Sequence, residues 1–294
     1  MKKINLPDIP EFPSWKELEL RDKPVIDSFL HKFPPGISDL TFTNLYCHQR
    51  ARGYLLAVYN KHLLVRFGSK QPNSLYQPIG PHPEEIIAAF IKENPEYRFI
   101  LVNGELGKRI SGPLKVEFDR GMSDYVYNTQ DLKLLKGEKY QEKRNFVRRF
   151  LSYNPKVVPL EEPYRNECKA LLKIWKAGKE PLPHLEDEQL AAEVMLDNLK
   201  KLNVHGIGII IENKIEAFAI GEQLNQESFV EHFEKGNTKF TGIYPFILHE
   251  FAKSIPGKFT FLNREQDLGI EGLRKSKLSY HPAFLIEKCA IAAK

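Results

Sequence analysis

The 294-residue sequence has only three cysteines and no long hydrophobic run. Cys47, Cys168 and Cys289 are far apart and lack histidines at ligand spacing, so they indicate neither a disulfide framework nor a zinc site. Pro7 and Pro10, with Asp8 between them, interrupt the N-terminal segment, which is typical of neither a secretory signal nor a membrane span. The sequence therefore predicts a cytoplasmic protein with buried thiols and no metal.

Signatures of several enzyme classes are also missing. The sequence has no HExxH pattern of a metalloprotease and no Walker pattern of a nucleotide hydrolase. Its nine histidines are scattered and accompany no serine or cysteine signature of a nucleophilic hydrolase. These absences disfavour all three classes.

Length and composition predict two globular domains. Hydrophobic residues make up 42% of the chain and charged residues 28%, which is ordinary for a globular protein. Because 294 residues approach the upper limit for one core, we predict domains at 1–153 and 154–294. The net charge of +5 is modest, so the distribution of charge is more informative than its sum.

Two similar hairpins indicate an internal duplication. The first covers 53–67 with a turn at Asn60-Lys61, and the second covers 206–224 with a turn at Asn213-Lys214. In the second half, hydrophobic periodicity predicts the order helix, helix, three strands, helix, strand, helix, strand. The predicted helices are 163–176, 186–202, 242–254 and 269–277, the predicted strands are 206–212, 215–224, 228–234, 259–262 and 284–291, and a Gly/Pro-rich break lies at 178–183.

A charged turn follows the predicted strand 259–262. Asn263, Arg264, Glu265 and Asp267 lie on it. Side chains at the carboxyl end of a strand converge on whatever binds there, so this turn predicts a binding site. The alternative is a solvated turn with local ion pairs.

Cations around this turn are candidate anion ligands. Arg274 and Lys277 are three residues apart, so they share one helix face and would hold a carboxylate or a phosphate, as would Arg264. The alternative is a structural network in which these cations pair with neighbouring acids.

A basic stretch precedes the second half. Residues 133–149 carry seven bases and two acids, on a helix predicted at 138–153. Such a stretch suits the phosphates of a nucleotide, a tRNA end or a lipid headgroup, although a solvated helix face has the same composition. Lys143, Arg144 and Asn145 are consecutive, so at least one of them points toward protein or ligand.

Segments along most of the chain carry a family resemblance. They are 38–45, 124–129, 134–145, 232–237, 242–247 and 261–282. Together they resemble the C-terminal domain family of phosphatidylglycerol lysyltransferase, which is akin to the Fem-type aminoacyl-tRNA-dependent transferases. The resemblance implies an α/β (α+β) tandem GNAT fold, with two mixed sheets flanked by helices, and an acyltransferase or aminoacyltransferase reaction. Lys235, in the segment 232–237, is a candidate substrate ligand.

Acyl transfer needs a neutral nucleophile, donors for an oxyanion and an acid for the leaving group. Acids would recognise or deprotonate an amine, for which the candidates are Glu234, Glu265 and Asp267. Asn263 would hydrogen-bond a carbonyl. The GNAT resemblance implies Tyr280 as the general acid, and the alternative is a core tyrosine.

The start of the predicted helix at 242 is a candidate phosphate site. Its N–H groups and dipole suit a pyrophosphate or a tRNA phosphate, and we expect Thr241, Gly242, Ile243 and Tyr244 to form the cradle. The alternative is a plain helix cap by Thr241. GNAT enzymes carry more glycines here, and this departure weakens the case for coenzyme A.

The expected activity is transfer of an acyl or aminoacyl group to an amine or hydroxyl. Aminoacyl-tRNA is the first donor candidate, and the acceptor is either a lipid headgroup, contacted peripherally, or a small polar molecule. Two alternatives stay open: a coenzyme A-dependent N-acetyltransferase, and a non-catalytic module that binds RNA or an anionic ligand.

Overall fold

The computed structural model describes residues 9–110, 112–178 and 183–294. The strands are β1 Lys16–Glu17, β2 Leu55–Tyr59, β3 His62–Arg66, β4 Ser74–Leu75, β5 Arg98–Asn103, β6 Leu114–Phe118, β7 Asp124–Asn128, β8 Lys156–Pro159, β9 His205–Ile211, β10 Lys214–Gln223, β11 Ser228–Gly236, β12 Phe261–Asn263, β13 Phe284–Ile286 and β14 Lys288–Ala293. The helices are α1 Lys23–Lys32, α2 Phe42–Arg52, α3 Pro83–Glu93, α4 Gly104–Arg109, α5 Thr129–Leu134, α6 Gln141–Phe150, α7 Arg165–Ala177, α8 Pro183–Asp197, α9 Leu199–Leu202, α10 Ile243–Ser254 and α11 Glu271–Leu278.

The chain forms two compact units, each with one mixed seven-stranded sheet flanked by helices. The first unit contains residues up to 124 and residues 286–294, and its sheet has the order β1-β2-β3-β4-β5-β14-β6. The second unit contains residues 125–285, and its sheet has the order β13-β7-β12-β11-β10-β9-β8. The predicted fold class is therefore confirmed.

The unit boundaries differ from the predicted boundary at 153. Strand β7 pairs with β12 of the second sheet, and α5 and α6 both pack on α10, so the basic helix belongs to the second unit. Strand β14 pairs with β5 and β6 of the first sheet, although it follows the whole second unit in sequence. Boundaries set by such long-range pairing leave no local signal in composition.

The hairpin turns follow from left-handed backbone at two residues each. Asn60 and Lys61, with φ of 46° and 66°, join β2 to β3, which confirms the first predicted turn. The second turn was predicted one residue too late. It is formed by Glu212 and Asn213, with φ of 50° and 63°, because Ile211 pairs with Lys214.

Two further predicted elements are divided. The run 284–291 forms β13 in one sheet and β14 in the other, because apolar periodicity does not show which sheet a strand joins. The helix predicted at 186–202 is split at Asn198, whose side chain donates to the carbonyl of Val194 at 2.9 Å and competes with helical bonding. Most of the break predicted at 178–183 lies outside the described residues.

Each unit buries an apolar layer between sheet and helices. In the second unit, residues of β9, β10 and β11 pack on Ile243, Phe246, Ile247 and Phe251 of α10. In the first unit, Phe90 of α3 packs with residues of β3, β5 and β14. Within the described ranges, no helix is long and apolar enough to cross a bilayer.

One buried charge cluster lies in the first unit. Lys288 is fully buried, and its Nζ donates to Asp124 at 2.6 Å, to Asp39 and, at 3.4 Å, to Ser38. Burial would lower the pKa of Lys288, but the two carboxylates raise it. The ammonium therefore stays charged and ties β14 to the rest of its unit.

We predict that Lys288→Ala destabilises the protein by about 3–5 kcal/mol, because it leaves two buried carboxylates without their cation. Urea unfolding at pH 7 measures this loss. The matched control is Lys108→Ala, since Lys108 pairs with Glu105 at the surface, where solvent screens the pair and its loss should have little effect. A similar small loss for both variants would contradict the prediction.

Candidate functional site

A β-bulge in β11 decides which side chains share one face of the second sheet. Glu231 pairs with Gly221 and Glu234 pairs with Ala219, so His232 is the extra residue of the bulge. Because their partners are two residues apart, the two glutamates lie on one face, whereas residues three apart in a regular strand face opposite sides. A Cβ at Gly221 would lie 2.0 Å from a backbone oxygen of β11, so the close approach requires glycine.

Arg264 binds both of these glutamates. Strand β12 runs parallel to β11 and pairs Asn263 with Val230, so the next residue, Arg264, reaches the same face. Its Nε donates to Glu231 Oε2 at 2.5 Å, and its Nη2 donates to Glu234 Oε2 at 3.0 Å. One guanidinium thus bridges two carboxylates.

Burial keeps the carboxyl group of Glu234 protonated near neutral pH. It raises the pKa of Glu234 to about 8, with the neighbouring Glu231 adding to the rise and Arg264 opposing it. Glu231 Oε1 is buried and accepts no hydrogen bond from an N–H or O–H of the described residues.

Lys277, Tyr280 and Lys143 surround Arg264. Lys277 Nζ donates to the backbone carbonyl of Arg264, and burial together with the charge of Arg264 lowers the pKa of Lys277 to about 8. The Tyr280 ring lies 4.6 Å from Lys143 Nζ and 5.6 Å from the guanidinium carbon of Arg264. Burial raises the pKa of Tyr280, so its hydroxyl keeps its proton.

We call Glu231, Glu234, Arg264, Lys277 and Tyr280 the Arg264 cluster. It combines a carboxyl and an amine that both exchange protons near pH 8 with a permanently charged guanidinium and a protonated phenol. Such a set can accept a proton, donate one and stabilise negative charge. Four of the predicted site residues, Glu234, Arg264, Lys277 and Tyr280, are brought together here.

Other residues of the charged turn bind one another. Asp267 is fully buried and accepts from Arg274 Nε at 2.7 Å, from Arg274 Nη2 at 3.1 Å and from the Tyr125 hydroxyl at 2.6 Å. Asn263 Oδ1 accepts from the backbone N–H of Glu265 at 2.8 Å. These contacts match the structural network that was the alternative for Arg274, while the catalytic roles of Asn263, Glu265 and Asp267 stay predictions.

His232 is a residue that sequence reasoning did not select. Its side chain is 3% exposed, and its ring nitrogens contact Glu265 Oε1 at 2.8 Å and Glu222 Oε1 at 3.0 Å. Burial alone would lower the pKa of His232, but these two carboxylates raise it to about 10. The signal in the sequence was faint: a histidine between two acids within a strand.

The basic helix is divided between protein contacts and solvent. Lys143 is buried against Tyr280, which confirms that one of the three consecutive residues points inward. The prediction that Arg144 binds a ligand gains no support from its contacts, because it donates to two backbone carbonyls of the preceding loop. Asn145 is exposed, and so are Arg148 and Arg149 in the next turn.

The start of α10 differs from the helix cap by Thr241 that was the alternative to a phosphate cradle. The N-cap is Gly242 in a left-handed conformation with φ of 91°, and no side chain caps it, so Thr241 is not the cap. A Cβ at Gly242 would lie 3.1 Å from the carbonyl oxygen of Phe146, so α6 occupies the space beside it. Glycine is required here by both its backbone and its neighbour.

Few backbone N–H groups at the start of α10 are available to bind a ligand. Of the first four, that of Ile243 donates to Phe240 at 3.1 Å, and Pro245 has none, which leaves those of Gly242 and Tyr244. The Tyr244 hydroxyl faces the carbonyl of Gly236 at 3.4 Å. Two N–H groups are a small set for a pyrophosphate, which several consecutive donors usually bind.

Lys235 lies away from the Arg264 cluster. It directly follows Glu234 in β11, so it points to the opposite face of the sheet. There it pairs with Glu188, and its Nζ lies 4.1 Å from the centre of the Trp175 ring. These contacts separate Lys235 from the Arg264 cluster, and its substrate-binding role stays a prediction.

A cavity of about 370 Å³ lies in the first unit. Prolines form much of its wall, and Asn103 and Arg109 contribute polar groups. None of the predicted site residues lines it. Among the described residues, no group of three or more histidines, cysteines and acids is arranged to hold a metal ion.

Comparison with known proteins identifies one family. Residues 31–291 match the family described as "Phosphatidylglycerol lysyltransferase, C-terminal". A conserved protein of unknown function from Bacteroides thetaiotaomicron is 30% identical, with a TM-score of 0.87 over 95% of this chain and 99% of that chain. The structure of L-PGS from Bacillus licheniformis is 14% identical, with a TM-score of 0.65 over 98% of this chain and 94% of that chain.

Two weaker similarities add detail on fold and length. A GNAT-family acetyltransferase from Colwellia psychrerythraea shares the fold, with 11% identity and a TM-score of 0.50 over 95% of this chain and 99% of that chain. Uncharacterized protein MYCGA3080 from Mycoplasmoides gallisepticum is 22% identical over 171 residues, or 56% of this chain and 54% of that protein. The match thus spans about half of that curated relative.

Asp267 should make stability depend on acid pH. Burial would raise its pKa, but hydrogen bonds from Arg274 and Tyr125 lower it from 3.8 to about 2. Its contribution is therefore complete above pH 4 and is lost as the pH falls toward 2. We predict that Asp267→Asn lowers the melting temperature at pH 5 and that this deficit shrinks at pH 2.

Melting curves of wild type and Asp267→Asn at both pH values test this linkage. The control is Asp131→Asn, because Asp131 is an exposed partner of Lys139 and should change little at either pH. A deficit for Asp267→Asn that stays constant from pH 5 to pH 2 would contradict the assigned pKa shift.

Proposed function

Because the chain belongs to the phosphatidylglycerol lysyltransferase C-terminal family, we propose that it transfers an aminoacyl group from tRNA to an amine or hydroxyl acceptor. The family and the fold support the coarser class, a GNAT-like aminoacyl- or acyltransferase. The observation that carries the proposal is the Arg264 cluster, where the partly accessible Glu234 exchanges its proton at about pH 8. Acid–base catalysis is most effective when the pKa of the catalytic group lies near the working pH.

The reaction needs two proton transfers. The acceptor nitrogen or oxygen attacks the ester carbonyl carbon of aminoacyl-tRNA, and the bond between that carbon and the ribose oxygen breaks. The acceptor loses a proton, and the ribose oxygen gains one. We assign the first proton to Glu234, which accepts it in its ionised form, the form that becomes more abundant as the pH rises toward its pKa of about 8. The second proton comes from the hydroxyl of Tyr280, which keeps its proton at neutral pH because it is buried.

Negative charge on the carbonyl oxygen would be stabilised by nearby cations. The guanidinium of Arg264 and the ammonium of Lys143 flank the Tyr280 ring at 5.6 and 4.6 Å. Fixed charges in a buried site stabilise an oxyanion more than the same charges do in water. Lys277 supports this arrangement by holding the backbone carbonyl of Arg264.

Two features favour tRNA over coenzyme A as the donor. The start of α10 leaves only two N–H groups for a pyrophosphate, and Phe146 lies beside Gly242. The exposed Arg148 and Arg149 of α6 are available for a nucleic-acid backbone, whose binding depends mainly on such cations. Lys143, of the same helix, reaches Tyr280, so this helix carries both a solvent-facing basic surface and a residue of the site.

A transfer assay decides between the candidate activities. The protein is incubated with tRNA charged with labelled amino acids, or with labelled acetyl-CoA. Acceptors are phosphatidylglycerol vesicles and a set of soluble amines and dipeptides. Transfer from tRNA supports the proposal, and transfer from acetyl-CoA alone identifies an N-acetyltransferase. Stabilisation by tRNA in a thermal-shift assay without any transfer would identify a binding module.

We predict that Glu234→Gln lowers kcat/KM at least about 100-fold, because glutamine keeps the shape but cannot accept a proton. The assay uses the donor and acceptor found by the transfer screen, with circular dichroism as a check on folding. The control is Glu227→Gln, an exposed residue before β11 that should keep full activity. A folded Glu234→Gln protein with more than a third of wild-type activity would remove Glu234 from the mechanism.

We predict that the double variant Arg148→Glu/Arg149→Glu weakens tRNA binding and reduces the slope of log K against log salt by about 1 to 2, since each arginine that neutralises a phosphate adds about one unit to this slope. Fluorescence anisotropy with labelled tRNA at several salt concentrations measures the slope. The control, Arg50→Glu/Lys70→Glu, makes the same change in net charge at exposed positions of the first unit. An equal effect of both double variants would indicate non-specific attraction rather than a surface on α6.

A further inference from the structure

The bulge residue His232 joins three segments of the second unit. It belongs to β11, its Nε2 contacts Glu222 Oε1 of β10 at 3.0 Å, and its Nδ1 contacts Glu265 Oε1 of the turn after β12 at 2.8 Å. Strands β10 and β12 are the two neighbours of β11 in the sheet. The imidazole therefore connects β11 to both neighbours at the residue where the pairing of β11 is irregular.

The contacts determine the charge of this ring. A carboxylate can only accept hydrogen bonds, so each ring nitrogen that faces one must carry a proton. His232 is therefore an imidazolium, flanked by the carboxylates of Glu222 and Glu265. With both nitrogens occupied and 3% of the side chain exposed, it is unsuited to bind a metal or take a proton from a substrate.

The register of the bulge decides whether the Arg264 cluster exists. Moving the extra residue by one position along β11 would turn Glu231 or a neighbouring side chain to the other face of the sheet. Arg264 would then lose one of its two carboxylates. Glu265, which His232 holds, directly follows Arg264 and has a left-handed backbone with φ of 58°, so the same contact also fixes the turn.

We propose that His232 is a positioning residue that, by binding Glu222 and Glu265 on opposite sides, holds the bulge of β11 and keeps Glu231 and Glu234 together on Arg264. The ion pairs of His232 on one face of β11 thereby fix the positions of Glu231 and Glu234 on the other face. The effect on turnover rests on the proposed function, whereas the effect on Arg264 does not.

The charge state is tested first, in the wild-type protein. Nitrogen-15 NMR of histidine rings at pH 8, with the His232 signals assigned by loss in His232→Gln, is expected to show protons on both nitrogens. An imidazole with one protonated nitrogen at pH 8 would overturn the proposal. This measurement needs no substrate, and the variant serves only to assign the signals.

The positioning role is tested through Arg264 itself. In His232→Gln, we expect exchange of the Arg264 Nε proton with solvent to become at least tenfold faster, and Glu222→Gln should give a smaller increase. His249→Gln is the matched control, because His249 binds only a backbone carbonyl, that of Leu132, in the same unit. Folded His232→Gln and Glu222→Gln proteins with wild-type exchange at Arg264 would overturn the proposal.

The consequence for turnover is tested by separating kcat from KM. We expect kcat of His232→Gln to fall at least tenfold, while the thermal shift caused by tRNA stays unchanged, because the helix surface that would bind tRNA is remote in sequence from the bulge. Unchanged kcat together with faster Arg264 exchange would show that the cluster is positioned by His232 but is not catalytic, which would refute the proposed function and leave the positioning role intact.

Discussion

The candidate site depends on one guanidinium shared by two carboxylates. Arg264 is charged and largely buried, so it requires carboxylates at hydrogen-bonding distance to offset the loss of water. A regular strand would present only one of Glu231 and Glu234 to it. The bulge at His232 presents both, and the close strand approach at the bulge is possible because residue 221 is glycine. The geometry of the candidate site therefore depends on the backbone conformation of β11.

Burial shifts the pKa values of Glu234 and Lys277 in opposite directions. Low dielectric disfavours charge, so the pKa of the Glu234 carboxyl rises and that of the Lys277 amine falls, each to about 8. The ordinary pKa values of these two groups lie far from neutrality, but in this site both groups exchange protons near pH 8. His232 shows the opposite case, because two carboxylates outweigh its burial and keep it charged. Partners as well as burial thus decide which groups can exchange protons at neutral pH.

Local patterns in the sequence predicted the elements well and their long-range pairing poorly. The Asn60-Lys61 hairpin and the basic helix followed from local sequence, and the charged turn includes Arg264, the centre of the candidate site. The bulge could not be predicted, because it exists only in the pairing of β11 with β10. The ion pair of Asp267 with Arg274 was considered as an alternative, but only distances distinguish it from a ligand site.

Each unit contains a buried cluster of one cation and two acidic residues, and the two clusters differ in accessibility. Lys288 is fully buried, and its three donors reach Asp39, Asp124 and Ser38, so nothing is left to bind or exchange. Arg264 and Glu234 each keep 11% of their side-chain surface, and one buried oxygen of Glu231 accepts no hydrogen bond from the described residues. A saturated cluster stabilises a fold. An incompletely saturated and partly accessible cluster can take part in proton transfer, and this difference is the physical reason for placing the chemistry in the second unit.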